Sequence, residues 1–166
     1  MSLRVLGIDP GSRVTGFGIV DQEARRSTYV ASGCIRVKGE ALPQRLRCIF
    51  EGIDDIVRRY RPDEVAIEGV FVHRNAGSAL KLGQARGAAI CAVMQESLPV
   101  SEYAPAEIKQ AIVGRGRAEK GQVQHMVKVL LNLAVSPQAD AADALAVALC
   151  HCHSRRLLSR LEAVVR

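Results

Sequence analysis

The chain has no tryptophan and few other aromatics, three Phe and three Tyr in 166 residues. Its core therefore has to be built from aliphatic side chains. No apolar run approaches the ~20 residues that a membrane helix needs, which argues against a spanning segment. There is no internal repeat, long linker or low-complexity tract, so solenoids and beads-on-a-string arrangements are excluded. The N-terminus MSLRVLGID enters strand-like sequence at once, without a signal-peptide layout, and a cytoplasmic protein is expected. The five cysteines (Cys34, Cys48, Cys91, Cys150, Cys152) sit inside apolar patterns without disulfide spacing, as reduced core thiols do. Cys150-His151-Cys152-His153 falls on a predicted helix, where neighbours two apart diverge, and no second Cys/His pair completes four zinc ligands.

What is present in excess is positive charge, a formal +6 at pH 7. Lys109, Arg115, Arg117, Lys120 and Lys128 are opposed over that stretch only by Glu119. Arg155, Arg156, Arg160 and Arg166 face only Glu162 at the end. Such a distribution suits a polyanionic partner, and it equally suits solvated faces.

Hydrophobic periodicity predicts strands over 3–9, 14–21 and 27–37, joined by short turns as an antiparallel meander. A helix follows from Leu42 to Tyr60, with apolar residues at helical spacing until Arg61-Pro62-Asp63 stops it. A fourth strand spans 64–70, a Gly/Ala-rich helix 76–96, a fifth strand 98–103 and a helix 106–113. A basic loop or helix start covers 114–121, a further helix carries Val123, Met126, Val127, Leu130 and Leu131, and the last covers 137–153. The order βββαβαβ followed by helices implies an α/β fold with a five-stranded mixed sheet, three antiparallel strands and then two parallel ones, flanked by helices. At this length the chain is one domain, 1–153, with a basic tail over 154–166. In that layout the first strand lies centrally, beside the fourth.

Two acids interrupt this pattern. Asp9 ends the apolar first strand in GIDPG, and Glu68 lies within the apolar strand of AIEGVF. A carboxylate in such a place is costly unless paired or bound to a metal. Asp140 and Asp143 stand three apart at the start of the last helix and share a side of it. Their apolar neighbours Leu145, Ala148, Leu149 and Cys152 lie on roughly the opposite side. A plain reading exists for each: Asp9 opens a turn, Glu68 points outward, and Asp140 and Asp143 suit the positive end of a helix. The chemical reading is a site for two divalent ions about 4 Å apart, which phosphodiester hydrolysis can use. Magnesium takes oxygen ligands. Clustered acids repel one another without cations, so the same group predicts metal dependence.

GIDPGSRVTGFGIV, SGCIR, AIEGVF, NAGSALKLGQARGAAI, IKQAIVG, AEKGQVQHM and PQADAADALAVALCHCH, in that order from about residue 3 to 153, resemble the bacterial RuvC Holliday junction resolvases. The resemblance implies an RNase H-like fold and a homodimer that cuts four-way DNA junctions with magnesium. The cuts are paired symmetric nicks that leave 5′-phosphate and 3′-hydroxyl ends. The family's four acids fall on Asp9, Glu68, Asp140 and Asp143, as metal ligands and catalytic residues. Its lysines fall on Lys109 and Lys120, beside the scissile phosphate, and its junction-contacting aromatic falls on Phe71. Arg74, Lys81, Arg86, Arg115 and Arg117 are further candidate DNA contacts. Two Mg2+ ions per site, with Mn2+ as a substitute, and the RuvA–RuvB branch-migration complex as a partner are also implied.

The chain departs from the family in places. Members often read IEQVF and VFMAKNADSALK, where this sequence has Gly69 and VFVHRNAGSALK. The changes lie near the expected DNA and dimer surfaces. Two rival readings remain at this stage. One is a junction-binding module that does not cut. The other is a fragment of an actin-like ATPase, whose first phosphate loop resembles GIDPGSRVTGFGIV but whose second is missing here.

Overall fold

A computed structural model describes residues 2–70 and 75–165. Strand β1 (Leu3–Asp9) pairs antiparallel with β2 (Val14–Glu23), which pairs antiparallel with β3 (Arg26–Arg36). Helix α1 (Leu42–Tyr60) leads to β4 (Glu64–Glu68), parallel to β1. Helix α2 (Ala76–Val93), a short 3-10 turn and then β5 (Val100–Tyr103), parallel to β4, complete a sheet of order β3-β2-β1-β4-β5. Helices α3 (Pro105–Val113), α4 (Lys120–Leu130) and α5 (Ala139–Val165) follow. The mixed sheet, with β1 at its centre beside β4, is the arrangement the sequence implies.

Alternation along the strands divides the core in two. Leu6, Ile8, Ile19, Val65 and Ile67 face α1 and α2 and are fully buried among Ile49, Ile53 and Val93. Val5, Val20 and Ala66 face the other way, toward Leu145, Leu149 and the apolar sides of α3 and α4. Burying each large aliphatic side chain contributes roughly 1.5–3 kcal/mol, so this aromatic-poor core suffices.

Helix α5 differs from its expected form in two ways. It is not one-sided: residues from Ala141 to Cys152 are buried nearly all round, except Asp143. The sheet covers one side and α3 and α4 cover the other, so an apolar stripe alone does not describe it. It also continues past His153 to Val165, where the sequence reading placed a tail. No Gly or Pro interrupts 154–165, and Arg155 on this extension pairs with Glu64 at 2.5 Å. Other boundaries move by a few residues, β4 ending at Glu68 and α4 beginning at Lys120.

Close approach of α5 to the sheet depends on missing side chains. A Cβ on Gly16 would lie 2.0 Å from the Asp140 carbonyl oxygen, and one on Gly7 would lie 2.1 Å from that of Ala144. Gly16 pairs with Asp9 across β1 and β2. The bare backbone at these positions thus seats the first turns of α5 directly beside the end of β1.

Candidate metal and nucleic-acid site

Asp9 and Glu68 are the last residues of adjacent parallel strands, and Ile8 and Ile67 are register partners just before them. Both acids follow the alternation that places Val5 and Ala66 on the α5 side. The carboxyl ends of strands in open α/β sheets are where ligands characteristically bind. The turn after Asp9 is held by Thr15, a fully buried residue. Its hydroxyl donates to the Gly11 carbonyl at 3.0 Å and accepts from the Gly11 N–H at 3.3 Å. Asp140 and Asp143 enter from the first turns of α5. One carboxylate oxygen each from Asp9, Asp140 and Asp143 lie within 4.8 Å of one another.

Electrostatics report the crowding. Burial, together with the neighbouring Glu68 carboxylate and then Asp143 and Asp140, pushes Asp9 from an ordinary 3.8 up to about 9. Burial raises Glu68 as well, opposed by its hydrogen bond with Asp9 and by Lys120 and Lys109. Such a set stabilises cations. It fits a divalent metal, because every donor is a hard oxygen and the acids cannot all ionise cheaply without one.

Basic residues flank the acids on the α3–α4 side. Lys120 Nζ lies 2.8 Å from Asp143 Oδ2, and this pairing raises the lysine pKa. Lys120 is the first residue of α4, where Glu119 N–H donates to Gln122 Oε1 at 2.9 Å. A cavity of about 290 Å³ is lined by Asp9, Glu68, Asp143, Lys109 and Lys120, with Pro105, Ile108, Val123 and Ala146 as its apolar wall. Arg115 and Arg117 are exposed in the loop that precedes Lys120.

Two further expected contacts stand on α2, away from the acids. Lys81 is exposed on α2 and lines a cavity of about 210 Å³ with Ser12 and Arg45, on the α1 side of the β1–β2 turn. Arg86 is bound to Glu102 of β5 in a salt bridge, within the layer formed by α1 and α2. It is not brought to the acids. Phe71 and Arg74 fall outside the described residues. Sequence reasoning missed Thr15, Gly16 and Cys34. Cys34 pairs with Gly16, and burial followed by the charge of Asp140 raises its thiol. The glycine-rich TGFG run was the available signal for the first two.

His151 also has a place that its sequence context did not reveal. It is buried, with Nε2 2.6 Å from Glu64 Oε2 and Nδ1 2.9 Å from the Tyr103 hydroxyl. Both ring nitrogens are thereby engaged, tying α5 to β4 and β5.

A mixed five-stranded sheet with acids converging at the carboxyl ends of its central strands and on a covering helix defines an RNase H-like nuclease. The sequence profile of the crossover junction endodeoxyribonuclease RuvC family matches residues 5–151. The crossover junction endodeoxyribonuclease RuvC of Hahella chejuensis is 58% identical over 98% of this chain and 94% of that protein. That of Shewanella sp. (strain MR-4) is 59% identical over 95% of this chain and 91% of its own length. Thermus thermophilus RuvC in complex with a Holliday junction substrate superposes with a TM-score of 0.87 at 34% identity, covering 93% of this chain and 96% of the other. The yeast mitochondrial Holliday junction resolvase Ydc2, at 11% identity and a TM-score of 0.68, shares the fold. The chain belongs to the RuvC family of crossover junction endodeoxyribonucleases. The rival ATPase and non-cutting readings are not favoured.

Proposed function

We propose that this endonuclease resolves four-way DNA junctions in recombination and repair, by metal-dependent hydrolysis at Asp9, Glu68, Asp140 and Asp143. The observation that carries this is the convergence of these acids from two strands and one helix beneath a basic rim. Mg2+ is the natural occupant of an all-oxygen set, with Mn2+ as a substitute, and two ions per site suit this number of carboxylates. When bound, such ions activate water and neutralise charge on the reacting phosphate.

The chain's own residues divide the remaining work. Asp9, the acid that the other three crowd, would be the central ligand, with Glu68, Asp143 and Asp140 completing the set that would hold the metal. Lys120 is placed to donate to a phosphate oxygen as charge develops there, releasing Asp143 as it does so. Lys109 supports the same charge from α3. Arg115, Arg117 and Lys81 contact backbone phosphates, which positions the substrate without reading sequence. Phe71 and Arg74, next along the chain from β4, contact the bases and backbone near the junction centre.

A homodimer presents two such sites, giving paired nicks that leave 5′-phosphate and 3′-hydroxyl ends. Cooperation with the RuvA–RuvB complex and a cytoplasmic location complete the reading. No described helix is long and apolar enough to cross a membrane.

The test is to incubate the protein with a labelled mobile four-way junction and with linear duplex of the same sequence, in Mg2+ and in EDTA. Paired symmetric nicks in the junction alone, absent with EDTA, are expected. Tight junction binding without nicks in any divalent metal would contradict the proposal.

A further inference from the structure

The cations assigned so far at the acids, Lys109, Arg115, Arg117 and Lys120, all come from α3, α4 and the loop between them. A DNA strand crossing the carboxylates has to leave over the opposite flank, formed by β2, β3 and the start of α1. That flank is also basic. β3 ends at Arg36, which pairs with Val14, and the Val37 N–H donates to the Arg13 carbonyl at 2.9 Å. Arg13, Arg36 and Lys38 therefore project from adjoining backbone, and all are exposed. Arg45 reaches across from α1 to donate to the carbonyl of Ser12, in the turn that follows Asp9.

The flank borders the acids directly. Cys34, two residues before Arg36, pairs with Gly16, which in turn pairs with Asp9. From Cys34 to Arg45 the only acid is Glu40. Among the described residues, no carboxylate neutralises this group. Arg4, Arg47, Arg58, Arg86 and Arg155 each meet a carboxylate, whereas among the described residues Arg13, Arg36, Lys38 and Arg45 meet none. Cations left unneutralised beside an acidic centre suit a polyanion that must be held against that centre's own repulsion.

We propose that Arg13, Arg36, Lys38 and Arg45 form a second phosphate-binding bank, gripping the DNA backbone on the β3 side of the site, opposite Lys109 and Lys120. The bank rests on the nuclease reading and extends it from one flank to both. With phosphates held on either side, the scissile bond is centred over the carboxylates.

The experiment measures binding of a fluorescent four-way junction by anisotropy from 50 to 300 mM salt, with Ca2+ in place of Mg2+. Wild type is compared with Arg13→Ala/Arg36→Ala/Lys38→Ala. A control, Arg47→Ala/Arg58→Ala/Arg59→Ala on the outer face of α1, removes the same charge elsewhere. The slope of log affinity against log salt should become shallower by about 2–3 in the first variant, roughly 0.9 per lost phosphate contact, and stay at the wild-type value in the control. A change below about 1, or an equal change in both variants, overturns the bank. Thermal melts establish that both variants fold, and Arg36→Lys should keep the wild-type slope. Cleavage in Mg2+ is read separately. Failure of the wild type to cut contradicts the nuclease reading, whereas a cutting wild type with an unaltered triple-variant slope contradicts only the bank.

Discussion

Asp9 is the residue on which the site turns, and its environment makes it a poor carboxylate and a good ligand. Its pKa is pushed up to about 9 by burial and by Glu68, Asp143 and Asp140. In metal-free protein the folded state therefore holds a proton that the unfolded chain loses near the ordinary carboxylate value. Stability contributed by protonated Asp9 is lost as pH rises between about 4 and about 9. In EDTA, the melting temperature of the wild type should fall from pH 5.5 to 8.5, while Asp9→Asn should be flatter across that range. Parallel profiles would contradict this electrostatic account. Saturating Mg2+ or Mn2+ should remove most of the slope, because a bound cation replaces the proton. Lys120→Ala should slow cleavage by on the order of a hundredfold, as loss of a donor to developing charge does, while leaving junction affinity within a few-fold. Single-turnover rates at saturating protein check this. The acids themselves were legible in the sequence, because a carboxylate ending or interrupting an apolar strand demands a reason. Arg86 was not, because nothing in ARG reveals that Glu102 on β5 already holds the guanidinium.

At the level of elements, the site is an outcome of how α5 lies on β1 and β2. Gly16 and Gly7 let the helix backbone touch the sheet. Gly16→Ala should force the first turn of α5 outward, costing about 1–3 kcal/mol in stability. It should cost much more in activity, since Asp140 and Asp143 move with that turn. A melt combined with a metal titration separates the effects: the variant should fold, yet show a smaller metal-induced rise in melting temperature than the wild type. His151 acts at the other end of the same helix. Replacing it with Ala leaves the Tyr103 hydroxyl without this partner and Glu64 with Arg155 alone, and should destabilise by about 1–3 kcal/mol. Cleavage per folded molecule should stay near the wild-type level. Strand order and helix order were readable from periodicity and turn residues. The depth at which α5 is buried was not, because a run such as ALAVALCHC lacks one-sided periodicity and shows its surroundings only once the sheet, α3 and α4 enclose it. The ending at His153 misled for a simpler reason. Basic residues read as a tail, whereas Arg155 is anchored to Glu64 and the helix continues.

Across the whole molecule, charge is arranged around the acid cluster rather than spread evenly. The formal +6 is the sum of basic flanks and an acidic centre. Such a surface draws DNA in at long range and leaves alignment to local contacts, so affinity should weaken steeply with salt. Metal should act on the whole fold as well. A ligand that binds only the folded state stabilises it by about 2.7 kcal/mol at a hundred times its Kd, so melting temperature should climb with Mg2+ or Mn2+ concentration. The most direct measurement of the central claim is single-turnover junction cleavage as a function of Mg2+, for wild type and for Asp9→Asn, Glu68→Gln, Asp140→Asn and Asp143→Asn. A single carboxylate site predicts that each substitution lowers the rate by on the order of a hundredfold or more while junction binding in Ca2+ persists. Wild-type rates in Asp9→Asn or Glu68→Gln would contradict it, because the strand-borne acids would then be structural and the chemistry would lie elsewhere.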